Sequence, residues 1–163
     1  MKTKNNKKNS FRKTMSYLFF FTILTFSSCN KDDTQPNCGC ESETLDTVPS
    51  ENFPEVPIEE QKRGLLFYKK PENIDTFYDY YVDGYYDNRF WIFQGTEGCY
   101  NCKRNFIICN ENLLGPEYDY LKNSNDSILI SFTGNRKRLC KGPIILPADY
   151  LYSEIKLTSI EQK

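Results

Sequence analysis

Residues Ser127–Thr133 read SILISFT, which puts Ile128, Ile130 and Phe132 on one side of an extended chain and Leu129, Ser131 and Thr133 on the other. Ile155–Ile160 (IKLTSI) repeats the pattern, with Ile155 and Leu157 opposed to Lys156 and Thr158. An apolar helix face recurs every three or four residues, so alternation at every second residue predicts strands covered on one face. Leu65–Tyr68 (LLFY) and Asn105–Cys109 (NFIIC) are further short strand-like runs. Thr76–Val82 and Tyr85–Gln94 are dense in aromatics, with nine Phe, Tyr or Trp between Phe77 and Phe93. Asp83-Gly84 between them predicts a hairpin turn, and Asp87-Asn88 is a competing one. The best place for a short helix is Asn112–Lys122, which Gly115-Pro116 interrupts. No strand–helix–strand rhythm is present. The expected fold is all-β: a small antiparallel barrel or sandwich of about five to seven strands.

The N-terminus has a different character. Lys2, Lys4, Lys7, Lys8, Arg12 and Lys13 precede an uncharged apolar run, Tyr17–Phe26, which ends at Ser27-Ser28-Cys29. A membrane-spanning helix needs ~20 apolar residues, and this run is half that length. The order of charge, apolar run and small residues predicts a cleaved secretory signal over residues 1–28. Phe26-Ser27-Ser28-Cys29 resembles a lipobox, with Phe26 and Ser28 standing where Leu and Gly or Ala are usual. Cys29–Asp33 (CNKDD) resembles the export signal of Bacteroidota-type surface lipoproteins, a Lys followed by acidic residues just past the lipidated Cys. The closing segments SILISFTG and YSEIKLTSI resemble strands of small, uncharacterised β-domain lipoproteins of the same lineage. The resemblance implies acylation of Cys29, with palmitate among its chains, and an outer-membrane protein facing the cell surface. A single acyl chain holds a protein only marginally, whereas several make attachment lasting.

Removal of residues 1–28 would leave 15 Lys+Arg against 22 Asp+Glu, a net charge of −7. Nine of the acidic residues lie between Asp32 and Glu60, where there is no basic residue, and the chain from Gln61 onward is nearly neutral. Residues 29–60, acidic and carrying Pro36, Pro49, Pro54 and Pro57, are therefore expected to form a flexible tether, and 61–163 the β domain. The basic footprint of a nucleic-acid binder is absent.

Besides Cys29, the cysteines are Cys38, Cys40, Cys99, Cys102, Cys109 and Cys140. Six in a small exported domain predict disulfides, with about 15 connectivities open. Among pairs within the domain, Cys109–Cys140 is favoured because each follows a strand-like run; Cys99 and Cys102 would then pair with each other or with Cys38-Gly39-Cys40. Four thiolates from Cys38-x-Cys40 and Cys99-x-x-Cys102 could instead suit zinc, but the first spacing is tight and an oxidising compartment competes for the thiols. No metal or cofactor is expected. A redox Cys99-Tyr100-Asn101-Cys102 would need to open a helix, and the sequence leads from it into a strand.

The chain has no His, which removes the commonest general base and the Ser-His and Cys-His nucleophile pairs. It also has no phosphate-binding or nucleophile-elbow motif, and a non-enzymatic protein is expected. Asp79, Asp83 and Asp87 recur in a turn-rich region and suit exposed positions better than an acid–base pair. The aromatic block offers two roles: sheet-stabilising cross-strand pairs, or a platform of Tyr78, Tyr80, Tyr85 and Trp91, with Tyr81 and Tyr86, that stacks on sugar rings. Arg136-Lys137-Arg138 with Lys141 would pair with the acidic tether, meet anionic lipid or be solvated. The sequence thus points to a lipid-anchored envelope protein whose β domain binds a glycan or an envelope protein. The alternative is a structural or accessory subunit of a surface assembly.

Overall fold

A computed structural model describes residues 36–52, 56–71, 84–96, 99–142 and 150–163. The alternating segments form strands that close on themselves. In chain order these are β1 (Thr44–Val48), β2 (Arg63–Lys69), β3 (Arg89–Thr96), β4 (Cys99–Ile108), β5 (Ser127–Lys137) and β6 (Tyr150–Gln162). The pairing β2-β3-β4-β6-β5 returns to β2, giving a closed five-stranded barrel, with β1 added to β5. All pairings are antiparallel except β4 with β6. This closure, with one parallel pair and a helical segment bridging β4 and β5, resembles the strand order of five-stranded OB-type barrels. Sequence order explains the parallel pair: β6 enters between β4 and β5, and the antiparallel match to β5 fixes its direction.

Every second residue points inward. Leu66, Phe90, Ile92, Phe106, Ile108, Ile130, Phe132, Ile155 and Leu157 fill the interior, each no more than 4% exposed. The expected faces of SILISFT and IKLTSI hold: Ile130 and Ile155 are fully buried, whereas Leu129 is 47% exposed. One barrel end is plugged by the segment between β4 and β5. It forms two 3₁₀ helices, Glu111–Leu113 and Pro116–Asn123, that bury Tyr118 and Leu121. The Asn110 side chain ties that segment to β6, accepting from the Leu157 amide at 2.8 Å and donating to the Leu157 carbonyl at 2.9 Å.

Three expectations are corrected. First, much of the stretch expected as a tether is folded: β1 pairs with β5, and a one-turn helix, α1 (Ile58–Gln61), leads into β2. There the buried Gln61 side chain accepts from the Ser50 amide at 2.7 Å and donates to the Val56 carbonyl at 2.8 Å. Proline and acidity in the sequence do not report such long-range anchoring. Second, β3 starts at Arg89, and β2 and β4 occupy both its edges. The strand expected from Tyr85 is thus shorter at its start, and Thr76–Val82, its expected hairpin partner, lies outside the described residues. Third, the favoured Cys109–Cys140 pair does not form. The bonds are Cys38–Cys140, Cys40–Cys109 and Cys99–Cys102.

Small barrels need small residues where their walls come together. A Cβ on Gly64 would lie 2.5 Å from Ile92 Cγ2 and 3.2 Å from the Phe93 carbonyl. Gly64→Ala is expected to destabilise the domain by about 1–3 kcal/mol, the usual cost of overpacking. Urea unfolding followed by Trp91 fluorescence tests this; unchanged stability would mean that the barrel wall yields freely at this point.

Candidate functional site

The described residues that combine burial, charge and disulfide sulfur meet on the outer face of β6. They are brought there by Cys38-Gly39-Cys40, a strap bonded to the barrel at both ends: Cys38 to Cys140 just past β5, and Cys40 to Cys109 just past β4. Gly39 has φ +87°, and a Cβ there would lie 3.3 Å from Cys140 Sγ, so the strap requires glycine at its centre. Its amide donates to the Arg138 carbonyl at 2.7 Å. Next to the strap, the buried Lys137 donates to the Ser42 carbonyl at 2.6 Å.

Beneath the strap lies Glu154, 4% exposed. Alternation places Glu154 outward, beside Ile155 and on the same side as Lys156. Lys156 is exposed as expected, and what buries Glu154 is the strap. Arg89 Nη1 lies 3.6 Å from Glu154 Oε1. Arg89 Nη2 donates to the Ile108 carbonyl at 2.7 Å and lies 3.8 Å from Cys40 Sγ. The Tyr86 ring lies under the same guanidinium, 5.8 Å away. Glu154 Oε2 has no hydrogen-bond partner among the described residues. The sulfurs of Cys40 and Cys109 and a Glu154 carboxylate oxygen all lie within 4.8 Å of one another. Burial raises the Glu154 carboxyl above its ordinary range, with Arg89 opposing. Sequence reasoning missed Glu154 and Arg89; neither carries a local signal, because their setting is made by segments far away in the chain.

The residues expected to form an aromatic platform are divided. Trp91 is 2% exposed. It packs in a second apolar cluster on the barrel's outer face with Phe67, Tyr86, Phe93 and Ile107, and its indole donates to the Tyr86 carbonyl at 3.1 Å. Trp91 is thus a packing residue and offers no ring face to a ligand. Tyr85 is 56% exposed. Its ring meets Tyr86 edge-on at 4.7 Å, and Lys141 Nζ lies 5.2 Å from its centroid. Tyr78, Tyr80 and Tyr81 lie outside the described residues.

The remaining sequence motifs resolve into structural roles. Cys99–Cys102 is a local bond within β4, so its dipeptide spacing opens a strand and no helix. The basic cluster is drawn onto the acidic leader: Arg136 forms an ion pair with Asp46 of β1, and Lys137 is buried beside Ser42. A recess lined by Asp46, Ser50, Gln61, Arg104 and Arg136 has room for about one water, too little for a substrate. In comparisons with known proteins, no family model and no curated protein matches this chain.

Because Glu154 binds its proton more tightly when folded than in the unfolded chain, its contribution to stability is complete below the ordinary value of 4.5. That contribution is lost as pH rises through the folded pKa. Glu154→Gln is expected to gain on the wild type as pH rises from the ordinary value of 4.5 through the raised folded pKa. Denaturant unfolding of both proteins across that range measures the difference; a constant offset would contradict a buried, titrating carboxyl.

Proposed function

We propose that this protein is a lipid-anchored envelope protein whose barrel binds a saccharide without catalysing its conversion. The observation that carries the reading is the pairing of exposed Tyr85 with Lys141. The two residues come from the connections β2–β3 and β5–β6. In OB-type barrels the corresponding loops, between the first and second strands and between the fourth and fifth, take up oligonucleotides and oligosaccharides. The support from the fold is analogy, and the residues make the case specific. A tyrosine face with a polar edge suits a sugar ring, and a neighbouring ammonium adds preference for an acidic sugar. The net charge of −7 expected for the mature chain argues against a nucleic acid.

The anchor is part of the same proposal. Cys29 would carry the lipid, with Lys31-Asp32-Asp33 directing the protein to the cell surface. Eight residues separate Cys29 from Cys38, and eight extended residues span at most about 26–29 Å. A barrel strapped at Cys38 would be held much closer to the membrane than a tether reaching residue 60 would allow. A second reading, an accessory subunit of a surface assembly, is favoured by β1. Among the described residues it pairs on one side only, with β5, and an open strand edge can be extended by a partner's strand.

Two experiments test the proposal. Cys29→Ser is expected to abolish metabolic labelling by fatty acid, and an unmodified Cys29 in the mature wild-type protein would refute the anchor. Disulfide-intact protein on a panel of neutral and acidic envelope glycans is expected to bind, with Tyr85→Ala weakening affinity about tenfold, or ~1.4 kcal/mol. Equal binding by Tyr85→Ala would refute this site, and exclusive capture of an envelope protein would support the second reading.

A further inference from the structure

We propose that Cys40–Cys109 is a thiol–disulfide exchange site, at which Arg89 holds the leaving sulfur and Glu154 supplies its proton. Such exchange needs a reachable sulfur and a stabilised leaving thiolate, and a nearby acid that protonates the departing sulfur keeps it from closing the bond again. Cys40 and Cys109 are both partly exposed. Arg89 Nη2 stands 3.8 Å from Cys40 Sγ, and a nearby guanidinium favours thiolate over thiol. Cys40 is therefore the better leaving group, and an incoming thiolate attacks Cys109.

The Glu154 carboxyl is the acid. It is 4% exposed, one of its oxygens has no partner among the described residues, and it is clustered with both sulfurs. In the oxidised protein that oxygen faces sulfurs that have no hydrogen to donate. On reduction, a thiol S–H beside it becomes a donor. Leaving a buried acceptor unpaired is costly, so the site favours the reduced pair more than an ordinary structural disulfide does. Around Glu154 the other charged or titratable groups are Arg89 from β3, Tyr86 from the preceding loop and Lys137, its cross-strand neighbour on β5.

The steps balance with an external dithiol as co-reactant. Its thiolate attacks Cys109 Sγ, forming a mixed disulfide as the Cys40–Cys109 bond breaks and the electron pair passes to Cys40. The Glu154 carboxyl protonates Cys40. The second thiol of the reagent, as thiolate, attacks the mixed disulfide at the reagent's sulfur and leaves as the cyclic disulfide; the electron pair passes to Cys109, and solvent returns the dithiol's two protons, one to the Cys109 thiolate and one to Glu154. The protein gains two electrons and the dithiol loses two. The strap remains attached through Cys38–Cys140.

The test uses the purified full chain in its oxidised form with dithiothreitol as probe, alkylation at timed intervals and peptide mapping of each cystine. Cys40–Cys109 is expected to open at least tenfold faster than Cys38–Cys140, and faster than global unfolding followed by Trp91 fluorescence. Glu154→Gln is expected to slow that opening about tenfold at mildly acidic pH, to flatten its pH profile, and to leave Cys38–Cys140 unaffected. Arg89→Lys, which keeps the charge, is expected to retain more of the rate than Arg89→Gln. Opening of both strap disulfides together at the unfolding rate would overturn the exchange site. A fast Cys40–Cys109 whose pH profile is the same in Glu154→Gln would overturn the proton-donor role.

Discussion

Backbone pairing along both edges of β5 closes the sheet. Its first half bonds to β2 and its second half to β1, while β6 lies along the opposite edge. Without the β5–β2 contact the strands would form an open, curled sheet with two exposed edges, the arrangement most open to unwanted pairing. Closure also sets the interior volume, which is why glycine stands at Gly64 and Gly134, where a Cβ would run into Ile92 or Ile155. The 3₁₀ segment then has one place to go, the open end over Tyr118 and Leu121.

A domain of this size buries a limited fraction of its surface, and the strap adds what the core cannot. Cys38–Cys140 spans 102 residues and Cys40–Cys109 spans 69. A single loop of about 100 residues is worth ~4.7 kcal/mol in the chain-entropy view. Once Cys38–Cys140 is formed, Cys40–Cys109 closes a shorter loop, about 33 residues by way of that bond, so it adds less than it would alone. The strap keeps one long-range bond when the other opens. Glu154 is paired with Arg89 through one oxygen only, and a buried carboxyl whose other oxygen has no partner among the described residues is a costly element of the fold.

The outer face of β2, β3, β4 and β6 is where the two proposals meet. The cross-strand row Phe67, Trp91, Ile107 and Glu154 runs from apolar to ionisable across four strands. Tyr86 touches both parts, packing on Trp91 and lying beneath Arg89. The exposed Tyr85 is its neighbour in the chain. The saccharide site proposed at Tyr85 and the exchange site proposed at Cys40–Cys109 thus stand on one continuous surface and rest on different atoms.

By itself the sequence determined the fold class and the inward faces of β5 and β6, because alternation at every second residue is a local property that any closed sheet must respect. It also carried the disulfide-rich character of the domain, since an even set of cysteines beside an export-like N-terminus needs no partner information. Proline and acidity were legible in residues 36–60, but the anchoring of that stretch was not, because β1 and Gln61 are held by residues many positions away. Only the tertiary structure decided which cysteines meet, since proximity of sulfurs depends on how distant strand ends converge. It likewise decided that Trp91 is packed and Glu154 buried. Both lie on the outward face of their strands, and whether an outward face meets water depends on what distant segment folds across it.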